Sequence, residues 1–386
     1  MTAASLSPVA EAPSIGLEIL DPAAGVLLDM LHAAARAPSA DNVQPWRLEL
    51  HAAARRLDVL VDHDRDRSPL NAGQRMSYLA CGAAVENAMR IARAAGFCCR
   101  LELSGLPAIP NERYVRVAAL HLERHDGSAH TADRLRAAEL INARATNRRI
   151  YDGRVLDLSA VAVLKESAPV LNGFRTHWII DRTTTEALTP LLARGDAAMF
   201  GLASARDYFI STVRFDLRPD AAALEGFSLA SLEISAWQSL ALRCVRHTPD
   251  PVFRALGGPE LFSSHTKKLA RSASGLCIIT VENSAQDHPV QAGRALQSAW
   301  LALTAQGFAA QPMMSVLGIA NALERGTPDL VASLQRAGGP ELTAAFRSLL
   351  AQIGILEKPV FMLRFGFARA PSGRTGRRSD VEEARA

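Results

Sequence analysis

Cys81-Gly-Ala-Ala-Val-Glu-Asn-Ala-Met-Arg-Ile-Ala-Arg-Ala-Ala-Gly-Phe97 aligns without a gap on Ala292-Gly-Arg-Ala-Leu-Gln-Ser-Ala-Trp-Leu-Ala-Leu-Thr-Ala-Gln-Gly-Phe308. Gly82 falls on Gly293, Ala84 on Ala295 and Ala88 on Ala299, and both stretches close on the same Gly-Phe pair. Each reads as a helix crowded with small residues and stopped by glycine. A buried helix that recurs far along one chain predicts that a single structural unit occurs twice.

Length points the same way, because 386 residues exceed what one ordinary hydrophobic core encloses. The expectation is an α+β protein with a first half over residues 1–130 and a second over 131–386. Residues 1–20 read as an extended arm. Val26, Leu27, Met30, Leu31 and Ala34 share a helical face that ends before Pro38. Strands are expected at 46–50, 57–61 and 115–122, with a helix at 78–95 between them. The second half opens with a helix at 131–143, continues with strands at 175–180, 275–281 and 359–367, and carries helices at 291–306 and 341–352. Residues 192–272 hold helical patches, many turn residues and no strong strand, which suits a helical lid or insertion as well as a plain packing subdomain.

At 48% hydrophobic and 21% charged residues, the chain has the apolar material to fold throughout. The net charge of +4 is spread along the sequence, so no nucleic-acid partner is expected. Cys81, Cys98, Cys99, Cys244 and Cys277 show no CxxC spacing, which argues against a disulfide framework or zinc site. No metal is expected, His121, His125 and His130 reading as a polar strand-to-loop stretch. The first twenty positions hold no Lys or Arg, and no run approaches the length of a membrane span, so a cytoplasmic protein is expected. No Gly-x-Gly-x-x-Gly follows a strand, which excludes a separate dinucleotide-binding domain.

Two segments carry the chemistry. Ala37-Pro-Ser-Ala-Asp-Asn-Val-Gln-Pro-Trp46 stands between a helix end and a strand start, with prolines that stiffen it and short polar side chains between them. Arg144-Ala-Thr-Asn-Arg-Arg149 follows the helix that opens the second half, and guanidinium forks beside a hydroxyl suit a phosphate. The first resembles the signature loop that lies over the flavin ring in the nitroreductase family of FMN proteins. The second resembles that family's Arg-x-Ser-x-[Lys/Arg] motif, matched here by Arg144, Thr146 and Arg148.

The resemblance implies that Pro38, Ser39, Asn42 and Gln44 face the flavin. It also implies that Arg374, Arg377 and Arg378 complete the phosphate site, and that Gln291 and the Pro312-Met313-Met314 loop lie near the ring. Many family members have Glu where this chain has Met314, which puts the usual ring environment in question. In the family each site is built from two subunits. Here the first half keeps the loop but has no Arg before Arg36, whereas the second keeps the arginines but carries Ala168-Pro-Val-Leu-Asn-Gly-Phe-Arg-Thr-His-Trp178 where the loop belongs.

Complementary loss predicts one FMN per chain, held between two fused nitroreductase-like units packed as an intramolecular pseudo-dimer, so that a monomer is complete. The run from Asp64-Arg-Asp-Arg67 through Tyr78 to Asn87 is similar to the tandem branch that includes the FMN-sequestering Acg proteins. In that branch a lid covers the flavin, and Tyr208, Arg214, Arg218, Trp237, His265, Lys267 and Lys268 are the lid residues placed to cover it. Three activities follow from the resemblance: an oxidoreductase passing hydride or electrons between NAD(P)H, as a transient reductant, or an organic donor and a small organic acceptor; an FMN-storing protein with little turnover; or a biosynthetic flavin-dependent dehydrogenase. The flavin itself carries the chemistry, so no catalytic side chain is assigned.

Overall fold

The computed structural model describes residues 22–106, 112–124, 131–167, 171–217, 222–283 and 286–378. The N-terminal arm, His125, His130, residues 168–170 of the degraded loop, Arg218 and Ser379 lie outside them.

Helix α1 (Pro22–Ala35) leads into the hairpin β1 (Trp46–His51) and β2 (Arg56–Asp62). The long helix α2 (Arg75–Ala94) follows, then β3 (Phe97–Leu103) and β4 (Tyr114–Arg124). These strands form an antiparallel sheet in the order β1-β2-β4-β3. Its inner face packs Trp46, Leu48, Val59 and Leu120 against α1 and α2. Its outer face meets water and is laced with charge, Arg47 pairing with Glu49 at 2.9 Å and Arg56 with Asp58 at 3.0 Å. That division is the alternation expected of an antiparallel sheet covered on one side.

Helix α3 (Thr131–Ala143) buries Ala137 and Ile141 in the core of this first sheet. Beyond α4 (Leu158–Ser167) comes β5 (Phe174–Ile179), and then a long excursion: α5 (Arg182–Gly201), α6 (Ala203–Thr212), β6 (Val213–Arg214), β7 (Phe227–Ser228), α7 (Leu229–Leu232), α8 (Ala236–Val245), α9 (Asp250–Ala255) and α10 (Gly258–Arg271). The chain re-enters a sheet at β8 (Gly275–Val281), passes through α11 (Pro289–Ala305) and β9 (Ala309–Pro312), crosses α12 (Ser315–Arg325), α13 (Pro328–Arg336) and α14 (Gly339–Gln352), and ends in β10 (Lys358–Gly366).

The second sheet runs β5-β8-β10-β9, again antiparallel. Its order matches the first strand for strand, with α11 in the place of α2. Every residue of β8 is buried, because helices cover both faces. Cys277, Ile279 and Leu363 meet Trp300 of α11 on one side, while Ile278 and Met362 meet Leu188 of α5 and Phe346 of α14 on the other.

The two repeated helices cross at their repeated glycines. A Cβ on Gly82 would stand 2.0 Å from the Val290 carbonyl oxygen, and one on Gly293 would stand 2.0 Å from that of Leu79. The contacts are reciprocal, since Leu79 and Val290 occupy aligned positions. Small residues let the backbones meet. Flanking the crossing, Gln297 Nε2 donates to Asn87 Oδ1 at 2.7 Å and Arg294 pairs with Glu86 at 3.2 Å, all four side chains being buried.

Several elements differ from the sequence reading, which has no counterpart of α4, α12 or α13. The excursion leaves the sheet after Ile179, not at residue 192, because α5 runs unbroken through Leu192 and buries it; Pro190 inside the helix obscures the periodicity. The 309–312 stretch, expected as loop, is an edge strand, which explains how it tolerates Pro312.

Candidate functional site

Helix α3 ends at Ala143, and the chain then runs extended along the free edge of β9. Asn147 N–H donates to the Ala310 carbonyl at 3.0 Å, and Thr146 forms a parallel bridge with Ala310. This pairing fixes the direction of Arg144, Thr146 and Arg148. Arg144 is buried, its guanidinium 4.8 Å from the Trp300 ring centroid, while that of Arg148 lies 4.6 Å from the Phe227 ring.

The Ala37–Trp46 loop arrives from between α1 and β1 of the first sheet. Asp41, Asn42 and Gln44 adopt φ of 46°, 53° and 51°, with Val43 between them at −77°, and such left-handed positions cost non-glycine residues free energy and persist only where surroundings enforce them. The enforcing contacts are visible. Ser39 Oγ accepts from Gln44 N–H at 3.0 Å, and Arg377 Nη1 donates to Asn42 Oδ1 at 2.9 Å. Arg378 N–H donates to Gln44 Oε1 at 2.9 Å.

Between loop and motif lies a cavity of about 190 Å³. Pro38, Ser39 and Asn42 line one side, Arg144, Thr146 and Arg148 another, and Arg374 and Arg377 a third. The two segments read from the sequence as complementary halves of one site therefore face the same space. Gln44 and Arg378 brace the rim. Reasoning from sequence missed Arg36, which also lines the cavity, although it stands directly before the loop. It also missed Phe227 and Ser231, which come from the excursion.

The cavity concentrates positive charge that the protein leaves unbalanced. Burial, then the neighbouring Arg377 and Arg374, pull Arg144 down to about 9. Burial pulls Arg148 to about 10 against the opposing pull of Asp41, and burial with Arg36 does the same to Arg377. Nε of Arg144 and Nε of Arg377 are buried without a hydrogen-bond partner. Unpaired buried donors on mutually repelling cations are costly, and a bound anion removes both costs together. Asp41, half-buried beside Arg148, is pushed up to about 6 by burial.

The excursion closes over this space. Asn42 Nδ2 donates to the Leu224 carbonyl at 3.2 Å, and Gln44 Nε2 to the same oxygen at 2.6 Å. Arg148 donates to the Ser231 carbonyl at 3.0 Å. Glu225 pairs with Arg65 at 2.8 Å and Arg378 at 3.2 Å. A small apolar cluster of Ile210, Val213, Phe227, Leu232 and Leu242 stiffens the strap from within. Tyr208 reaches Asp66 at 3.2 Å and Arg214 holds the Glu225 carbonyl, whereas Trp237 is solvent-facing, as are Lys267 and Lys268, and His265 is half-buried elsewhere on α10.

Four expected ring contacts lie outside the cavity. Gln291 accepts from Arg294 at 2.8 Å beside the helix crossing, and Pro312 is held in register with Leu363. Met313 is buried in the second core, and Met314 lines a separate small hollow with Met76 and Phe346. The physical reason is β9: its pairing with β10 fixes Pro312 and Met313 within the sheet layer. Among the described residues no cluster of His, Cys, Asp and Glu is arranged to hold a metal, and no helix is long and apolar enough to cross a membrane.

No family model matches the chain. It is 26% identical over 311 residues to the uncharacterized protein MT1398 of Mycobacterium tuberculosis (strain CDC 1551 / Oshkosh), covering 79% of this chain. The chain spans only 41% of that relative's length. Its structural neighbours are FMN-dependent nitroreductases. The NfnB enzyme of Mycobacterium smegmatis, solved with NADPH, is 16% identical, with 60% of this chain and 87% of that one covered and a TM-score of 0.30. A nitroreductase with bound FMN from Bacteroides fragilis is 13% identical, with 64% and 97% covered and a TM-score of 0.32. The FMN- and NADPH-dependent NfnB of Sphigopyxis sp. strain HMH is 15% identical, with 62% and 94% covered and a TM-score of 0.33.

Proposed function

We propose that the chain is an FMN-dependent oxidoreductase made of two fused copies of one unit, which share a single flavin site. One observation carries the reading: Arg144 and Arg377, each with an unpaired buried Nε, line a cavity that the strained Ser39–Gln44 loop also lines. A phosphate monoester brings nearly two negative charges and acceptor oxygens suited to guanidinium forks. Arg144, Thr146, Arg148, Arg374 and Arg377 fit that group, and Ser39 and Asn42 fit the polar edge of a flavin ring. The matching strand orders and the reciprocal Gly82–Gly293 contact support the duplication.

FMN when bound supplies hydride and electron transfer to an organic acceptor, with NAD(P)H as transient reductant. The chain's own residues bind, orient and shield. Arg144 and Arg148 anchor the phosphate end, and the loop sets the height of the ring. Asn42 and Gln44 now donate to the Leu224 carbonyl, an acceptor of the kind a ring edge presents. Asn42 and Gln44 would serve either the strap carbonyl or a ring edge, so a bound flavin would compete with Leu224 for these donors.

That competition favours a second reading, FMN storage with little turnover, because the strap is pinned by Glu225 between Arg65 and Arg378. Rapid mixing of the FMN-loaded chain with NADPH separates the two. Loss of the yellow absorbance, restored by a nitroaromatic acceptor, is expected of the oxidoreductase, and a stable yellow colour supports storage. A protein that takes up no FMN at all ends both readings.

A further inference from the structure

A second hollow, of about 1200 Å³ and open to solvent, lies between the 66–74 loop, α5 and α6, the start of α10 and the turn joining α12 to α13. The flavin reading assigns it nothing. Its charges are unequal in a telling way. Arg254 is already paired with Asp250 at 2.8 Å, but Arg194 of α5 and Arg325 of α12 have no ion-pair or hydrogen-bond partner among the described residues. The first turn of α6 lines the same space, without a side-chain cap and without an acidic residue, so its free N–H groups add to the positive field.

The inner wall carries Asp66, which is 2% exposed. Its Oδ1 accepts from Ser68 N–H at 3.1 Å and from the Tyr208 hydroxyl at 3.2 Å. Its Oδ2 is buried and has no partner. Asp66 lines the cleft, and an orphaned carboxyl oxygen on such a residue is the mark of a group that a ligand completes once the side chain turns toward it.

We propose that this cleft binds a small hydroxy-bearing organic acid, its carboxylate held by Arg194 and Arg325 beside the first turn of α6 and its hydroxyl bonded to Oδ2 of Asp66. A polyphosphate is disfavoured, because Glu260 and Asp329 also line the cleft and repel dense negative charge. Pro69, Ala198 and Leu202 supply apolar wall for a carbon skeleton. Burial, then the nearby Asp41, push Asp66 up to about 7, so both protonation states are populated near neutrality. A hydroxyl, which donates and accepts, satisfies Oδ2 in either state. Asp41 belongs to the loop on the phosphate cavity, which places Asp66 between the two spaces. Under the flavin reading, on which only this role rests, the acid is the second substrate.

Calorimetric titration of the purified chain with 4-hydroxybenzoate, benzoate and phenol tests the assignment, with and without FMN. Saturable binding of 4-hydroxybenzoate is expected, with benzoate and phenol each about tenfold weaker, which is about 1.4 kcal/mol per lost group. Arg194→Ala with Arg325→Ala should weaken both carboxylates about tenfold or more and leave phenol unchanged. These side chains are exposed, so the fold is spared. Asp66→Ala, which removes the partner of the ligand hydroxyl, should erase the preference for 4-hydroxybenzoate over benzoate. No saturation by either carboxylate, or affinities indifferent to the arginines, overturns the proposal. Failure of FMN to bind sinks the flavin reading and leaves these titrations interpretable.

Discussion

The first sheet meets water on one face, and the second, with the same strand order, is buried on both. The first joins β1 to β2 by a tight turn over residues 52–55. The second opens the corresponding connection, between β5 and β8, into the excursion of α5 to α10. It also inserts α12, α13 and α14 between β9 and β10, whereas residues 104–113 are all that separates β3 from β4 in the sequence. One topology thus serves as a plain scaffold in one place and as a platform for additions in the other. Loops at strand ends accept such additions because they do not disturb the paired strands. The additions then cover what a bare unit leaves open: a sheet face, and the mouth of the cavity between the units.

The comparison breaks most visibly at the helix crossing that the units share. Gly82→Ala or Gly293→Ala forces a methyl into a backbone carbonyl on the opposing helix, and a loss of about 3 kcal/mol or more is expected. Denaturant unfolding measures it, with Gly25→Ala, where nothing crowds the added carbon, as the control. If Gly82→Ala melts like the control, the glycines do not hold the units together.

Next in size are Arg144 and Arg148, which follow α3 and line the cavity. Arg144→Ala and Arg148→Ala are each expected to weaken FMN binding by about 2 to 3 kcal/mol, read by quenching of flavin fluorescence. Unchanged affinity in both removes the phosphate assignment. The apo protein should respond in the opposite direction for Arg144→Ala, because a buried cation repelled by Arg377 and Arg374 is taken away.

The acidic residues beside the cavity give a pH signature. Asp41 and Asp66 are raised to about 6 and about 7, so the folded chain holds protons that the unfolded chain releases above the ordinary carboxylate range. Their contribution is most favourable at acid pH and is lost as pH rises through those values. Asp66→Asn should therefore raise the melting temperature at about pH 8 and change it little at about pH 5, flattening the profile. A parallel profile in wild type and variant contradicts the burial argument.

The smallest effect concerns the strap. Glu225→Gln loosens its ties to Arg65 and Arg378, and since these groups are partly exposed the stability change should stay near or below about 1 kcal/mol. Faster FMN uptake in a rapid-mixing trace is the informative readout. An unchanged rate argues that the strap does not gate the cavity.

Much of this was legible in the residues themselves. The alternation in β1 marks a one-sided strand, and the unbroken apolar run of β8 marks a two-sided one. The small-residue pattern of α2 and α11 marked one buried helix occurring twice, and Arg144, Thr146 and Arg148 were read as residues suited to an anion. Arg36 escaped notice because a lone arginine has no periodicity. The carbonyls of Leu224 and Ser231 were beyond reach, since every residue has one and only the folded path decides where it points. The 309–312 strand hid for a related reason: an edge strand needs a partner, and β10 lies far along the chain.

By itself the sequence marked most of the long helices and strands and two short motifs whose residue types suit a phosphate, because periodicity and residue type are local properties. Only the tertiary structure decided that the Ala37–Trp46 loop and the distant Arg144, Arg148, Arg374 and Arg377 line a common cavity. It alone placed the strap's carbonyls on Asn42 and Gln44 and left Oδ2 of Asp66 without a partner. Those are relations between distant residues, fixed by the packing of α2 on α11 and by the route the excursion takes across the cavity's mouth.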